Sequence, residues 1–152
     1  MEASGETLNR FLVEVFDEIL KREEESLSAS IPDLSLRELH LVEEVYFAEE
    51  EGRDNRAAAI AAAQRVTPGT LTIMVSALER KGYLERHRDT KDRRAVRIVP
   101  TQQGREVNGI HAEYHREMVK HILSALSEEE AHILAKALGS LTRFFRTDSG
   151  MG

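Results

Sequence analysis

The chain has 152 residues, a formal net charge of -6, 41% hydrophobic and 32% charged residues, few aromatics and no Trp. That is enough for one compact domain, or for two small lobes that share helices, in a helix-rich soluble protein. The absence of Cys excludes a disulfide framework, a thiolate nucleophile and a thiolate metal site. No apolar run is long enough to span a membrane and no signal peptide is evident, so the expectation is a cytoplasmic protein.

The polar start, MEASGETLNR, is expected to fray. Residues 6–26 predict an amphipathic helix, with Leu8, Phe11, Leu12, Val15, Phe16, Ile19 and Leu20 at three-and-four spacing. Residues 27–34, with Pro32 and Asp33, predict a loop. Ser35 opens the next helix, and Glu38 three residues on completes a capping-box pattern. Its inward positions are Leu36, Leu39, Val42 and Val45, with Leu41 and Tyr46 flanking. A polar break, Glu49–Asp54, contains Gly52. Asn55 is then expected to cap a helix built on an Ala run.

Thr67 and Pro68 predict a helix start, as N-cap and first-turn residue. That helix runs to about Lys81, with Leu71, Val75 and Leu78 inward, and Gly82 ends it. Residues 83–87 and 95–99 predict two short strands around a charged tip, Arg88–Arg94. Thr101 opens a long helix to about Leu126. Ser127 and Glu130 cap the last helix, whose apolar face is Ile133, Leu134, Ala137, Leu138, Leu141, Phe144 and Phe145. The tail after Arg146 is expected to be disordered.

Helix, short turn, helix and hairpin, in that order, form a winged helix-turn-helix. The fold class is therefore mainly α with a small β-wing. The negative net charge argues against DNA until its distribution is considered. Between Arg80 and Arg105 nine Lys/Arg stand against three acids, so this stretch is strongly basic and the rest of the chain strongly acidic. The second helix of the pair presents small polar groups: Thr67, Pro68, Gly69, Thr70, Thr72 and Ser76. These touch phosphates or thymine methyls and read bases less sharply than Arg or Asn. The hairpin adds Arg86, Arg88, Lys91, Asp92, Arg93 and Arg94. Part of the specificity is thus expected from the wing and from DNA shape. No Gly-rich phosphate loop or strand-loop-carboxylate pattern supports an enzyme. The acid runs Glu43-Glu44 and Glu49–Glu51 lie on polar faces and loops, where solvation explains them. A degenerate helix-turn-helix serving protein interaction is opposed by the intact wing cations.

The stretch RVTPGTLTIMVSALERKGYLERHRDTKDRRAVRIVPTQQG, residues 64–104, resembles the MarR family pattern of recognition helix, GY-L-E-R strand, D-x-x-D-R-R wing and T-x-x-G restart. The flanking helices extend the resemblance over about 6–146. It implies one chain, 1–152, with a winged helix-turn-helix lobe at 35–100. Helices 6–26 and 101–146 would join two copies in a homodimer. It also implies that Asp92 steadies the wing and that Arg94, with Lys91 and Arg93, enters a minor groove. A dimer would present two recognition helices to a pseudo-palindromic double-stranded operator.

The segments 36–45, 67–86, 92–105 and 110–130 resemble most the family's repressors of fatty-acid biosynthesis. That likeness implies a long-chain acyl group on acyl carrier protein (acyl-ACP) as corepressor, with no cofactor otherwise required. The residues expected to line a ligand pocket where the helices meet are Phe16, Leu20, Leu39, His40, Ile110, His111, Tyr114 and His115. The alternative comes from the family's zinc-responsive repressors, whose ligand pattern matches Glu24, His40, His111 and His115. The i, i+4 pair His111 and His115 suits one metal ion.

Overall fold

The computed structural model describes residues 2–147. The expected disorder after Arg146 lies, beyond Thr147, outside the described residues. The chain divides after His111 into two compact units.

The first unit opens with α1 (Glu2–Arg10), a π-helical turn at Phe11–Val15, and α2 (Phe16–Ser30). Two expectations are corrected here. The polar start is helical from Glu2, because each residue added to an existing helix gains a hydrogen bond without a new nucleation cost. At the other end the helix continues past residue 26 to Ser30, because Leu27 is buried and draws that turn into the core.

α3 (Leu36–Glu50) starts where the capping box places it. Glu38 N–H donates to Ser35 Oγ at 3.1 Å and Ser35 N–H to Glu38 Oε1 at 3.0 Å. This helix is the centre of the lobe: Leu39, Leu41, Val42, Val45 and Ala48 are all fully buried. Leu41 is thus a core residue rather than a flanking one, since α3 packs against α2, α4 and β2 on different sides.

α4 (Ala57–Ala63) buries Ile60 and Ala61, and its small side chains allow α5 (Pro68–Lys81) to approach closely. Asn55 does not cap α4; Arg56 occupies that position with no side-chain cap. Leu71, Val75 and Leu78 of α5 complete the core, and Gly82 ends the helix in the left-handed region at φ 88°.

β1 (Leu84–Arg88) and β2 (Val96–Pro100) pair antiparallel, with Leu84 opposite Pro100 and Arg88 opposite Val96. Each strand begins one residue later than expected, because Tyr83 is buried in the core and its carbonyl receives Thr101 N–H at 3.1 Å. Arg56 adds a single bridge to the outer side of β2 at Arg97. α6 (Gln102–Ser124) begins in this unit, capped by Thr101 Oγ1, which accepts from Gly104 N–H at 3.1 Å.

The second unit holds the remainder of α6 and α7 (Glu128–Thr147), opened by the Ser127–Glu130 capping box. α7 has no buried residue, and Ile133, Leu134, Leu138, Leu141, Phe144 and Phe145 are all exposed. No helix among the described residues is long and apolar enough to cross a membrane.

Candidate nucleic-acid interface

The outer face of α5 begins at its N-cap. Thr67 Oγ1 accepts from Thr70 N–H at 3.2 Å and lies 2.9 Å from Thr70 Oγ1. Pro68 supplies the first turn, where no N–H is needed. Thr67, Pro68, Gly69 and Thr72 are exposed; Thr70 and Ser76 are half-buried. The structure therefore brings all six expected recognition-helix residues to one end and side of α5.

Arg86 is placed differently from expectation. Its guanidinium turns back onto α5, pairing with Glu79 and donating to Thr72 O at 2.9 Å and Ser76 Oγ at 3.0 Å. Its own N–H donates to Glu79 Oε2 at 3.2 Å. Arg86 is thus a strut between the recognition helix and the first wing strand, because Glu79 of α5 offers an acceptor facing β1.

The wing is closed at its base by residues that the sequence did not single out. Asp89 is buried at 6% exposure. Its Oδ1 accepts from Arg97 Nε at 3.0 Å, and Arg97 Nη1 donates to Asn55 Oδ1 at 2.6 Å. Asn55 O also accepts from Ile98 N–H at 3.0 Å, so the expected cap residue is committed to the wing instead. The Arg97 guanidinium holds the Asp89 carboxyl below the usual carboxylate range, against the opposing effect of desolvation. Asp92 has the more local role of accepting Arg94 N–H at 3.0 Å, which shapes the turn at the tip.

Four of the nine cations between 80 and 105 are tied internally. Lys81 bonds Asp33 O at 2.6 Å and Glu38 at 2.9 Å; Arg86 pairs with Glu79, Arg97 with Asp89, and Arg105 with Glu49. The other five, Arg80, Arg88, Lys91, Arg93 and Arg94, are exposed and pair with no acid among the described residues. Arg80 stands in the last turn of α5, and the other four form the cationic tip of the hairpin. Arg94 and Asp92 also line a shallow cleft of about 510 Å3 with Asp54 and Arg56. Asp54 is drawn down to about 2 by the Arg56 guanidinium beside it.

A second polar cluster lies within the first unit. His111, 8% exposed, contacts Glu23 Oε1 through Nε2 at 2.5 Å and Glu43 through Nδ1. The ring thus stands between two carboxyl groups, one from α2 and one from α3. His40 Nε2 stands 3.8 Å from Glu23 Oε1, and the two imidazole rings are 6.4 Å apart. The carboxylate that reaches the histidines is therefore Glu23. Glu24, the expected ligand, faces outward beside Lys21, Glu25 and Ser28, since Leu20, Glu23 and Leu27 share the inner face of α2.

The expected pocket residues differ in burial. Leu39 is fully buried in the core, Leu20 half-buried, and Phe16 and Ile110 are exposed at 53% and 50%. Tyr114 and His115, on the part of α6 belonging to the second unit, stack edge-on at 5.7 Å.

A helix start of small polar residues, with a hairpin tip of exposed cations beside it, is the working surface of a winged helix-turn-helix DNA-binding protein. A sequence profile of the MarR family matches residues 34–96. The structure is similar to that of Streptococcus pneumoniae FabT in complex with DNA: 34% identity, 93% of this chain and 97% of that one covered, TM-score 0.84. The chain belongs to the MarR family and is a DNA-binding transcriptional regulator, not an enzyme.

Other likenesses support the fold. Staphylococcus aureus MepR, a transcription regulator of the multidrug efflux pump MepA, matches with 21% identity over 90% of this chain and 97% of that chain, TM-score 0.73. YusO from Bacillus subtilis matches with 22% identity over 93% and 96%, also at 0.73. No curated protein matches the chain at a significant level.

Proposed function

We propose that the protein is a cytoplasmic, homodimeric repressor that binds a pseudo-palindromic operator and controls fatty-acid biosynthesis genes, with acyl-ACP as corepressor. The observation that carries this is the 34% identity to FabT over nearly the whole of both chains. Two further features support it. The cationic wing flanks the small, polar first turns of α5, and a partner copy accounts for the apolar surface at both ends of the chain. Leu8, Phe11, Leu12, Val15 and Phe16 near the start are exposed, as are the apolar residues of α7. Exposed apolar area of that extent is the mark of an association surface. On this proposal helices 6–26 and 101–146 make the dimer.

The zinc alternative fits less well. Of the expected ligands Glu24 points away from the histidines, beside Lys21, Glu25 and Ser28.

One experiment separates the two. The purified chain is assayed for bound zinc, then for affinity to the promoter of a fatty-acid synthesis operon with acyl carrier protein in its free and long-chain acyl forms. Affinity is expected to rise only with the acyl form. An operator affinity indifferent to acylation but dependent on stoichiometric zinc would refute the acyl proposal.

A further inference from the structure

Much of the recognition helix's polar capacity is committed within the protein. The Thr67 hydroxyl is engaged with Thr70, Thr72 Oγ1 donates to Pro68 O at 2.9 Å, and Ser76 Oγ accepts from Arg86. Arg86 is turned inward onto α5, and the exposed Arg80 stands apart in the last turn. Yet the centre of the outer face is occupied by Ile73. At 3.6 residues per turn, Gly69, Ile73, Ser76 and Arg80 lie opposite the buried Leu71, Val75 and Leu78. Ile73 is 73% exposed, the most exposed large apolar side chain among the described residues. Its neighbour one turn back, Gly69, has nothing within 4 Å of where a Cβ would stand, so nothing screens Ile73 on that side.

A single exposed apolar residue is ordinarily unremarkable. Here its position decides the matter, because this is the face that loses its water when the helix enters the major groove. An isoleucine pressed against an amino or carbonyl edge would strip that edge of hydrogen bonds. Only thymine offers an apolar group there, its 5-methyl. The β-branched side chain is also stiff at χ1, so it holds one position with little entropy to lose.

We propose that Ile73 is a specificity-determining residue that packs against the 5-methyl group of one thymine in each operator half-site. This rests on the winged-helix assignment of α5 and adds to it a base that the hydroxyl-bearing residues do not specify.

The test starts from duplexes selected out of a random-sequence pool by the full chain. Each thymidine of the selected site is then replaced by deoxyuridine, one symmetric pair at a time, which removes the methyl and leaves the pairing edge intact. Dissociation constants are measured for wild type, Ile73→Val and Ile73→Ala at fixed salt. One thymine per half-site is expected to cost wild type about fourfold per methyl lost, the equivalent of one buried carbon. Ile73→Ala is expected to be indifferent at that position and Ile73→Val intermediate. Because Ile73 is exposed, both variants should keep the wild-type melting temperature and salt dependence. Wild type indifferent to every deoxyuridine, or Ile73→Ala paying the same cost at the same position, would overturn the proposal. Failure to select any sequence would overturn sequence-specific binding by α5, and this proposal with it.

Discussion

Arg86 and Arg94 are both basic residues of the wing hairpin, but the structure gives them opposite jobs, and salt dependence tells them apart. Arg94 is exposed, with no acid paired to its side chain among the described residues. If it neutralises a phosphate, Arg94→Ala lowers the slope of log K against log salt by about 0.9 per wing, or about 1.8 for a two-winged dimer. Between 50 and 200 mM salt the loss of affinity then shrinks by about tenfold relative to wild type. Arg86 is bound to Glu79, Thr72 O and Ser76 Oγ, with its side chain and that of Glu79 each about a third exposed, at 30% and 33%. The double variant Arg86→Gln, Glu79→Gln removes the strut with no change in net charge. Solvent screening at that exposure reduces the loss to about 1–2 kcal/mol of wing positioning, a factor of about 5–30 in operator affinity. The salt slope should not move. Fluorescence anisotropy titrations at four salt concentrations measure both quantities. A double variant whose slope falls as far as that of Arg94→Ala would show Arg86 to be a phosphate contact, and the strut assignment would fail.

Two further perturbations probe the frame that carries the interface. A Cβ at residue 104 would stand 2.3 Å from Tyr83 O, a backbone atom that cannot swing aside. Gly104→Ala should therefore destabilise by about 1–3 kcal/mol of overpacking, despite the roughly 1 kcal/mol that helix propensity favours Ala; a melting temperature equal to or above wild type would refute this. Burial would raise the Glu38 carboxyl, but the Ser35 N–H and the Lys81 ammonium outweigh it and hold the group below its ordinary 4.5. A depressed carboxyl contributes stability above that value and loses it as pH falls through the folded one. The advantage of wild type over Glu38→Gln should be complete at neutral pH and shrink below 4.5 in urea melts across pH; an advantage independent of pH would contradict the ion pair.

What the sequence revealed is what short-range rules govern. The boxes at Ser35–Glu38 and Ser127–Glu130, the Thr67-Pro68 start and the Gly82 stop each need only four or five neighbouring residues, and all four stand in the structure. The α5 residues followed from the same start signal. What stayed hidden was the choice among distant partners. Asn55 suits a cap as well as it suits Arg97, and only the fold decides between them. Ending the first expected helix at residue 26 hid Leu27, and with it the inner face that Glu23 shares with Leu20. Asp89 and Asp92 are alike in a hairpin tip; their difference in burial comes from Arg97, eight residues on from Asp89. Arg86 and Arg94 are alike in sequence too, until Glu79 claims one of them.

The closed base of the wing has an evolutionary consequence. Asp89, Arg97 and Asn55 lock the two strand ends to the body of the lobe, so residues 90–94 hang from a clamp rather than holding the hairpin shut. Doubling the length of a loop whose ends are already fixed costs only about 0.6 kcal/mol of closure entropy. Descendants of this chain are therefore free to lengthen, shorten or recharge the tip and so to migrate to new operators, at little cost to the stability of the lobe beneath.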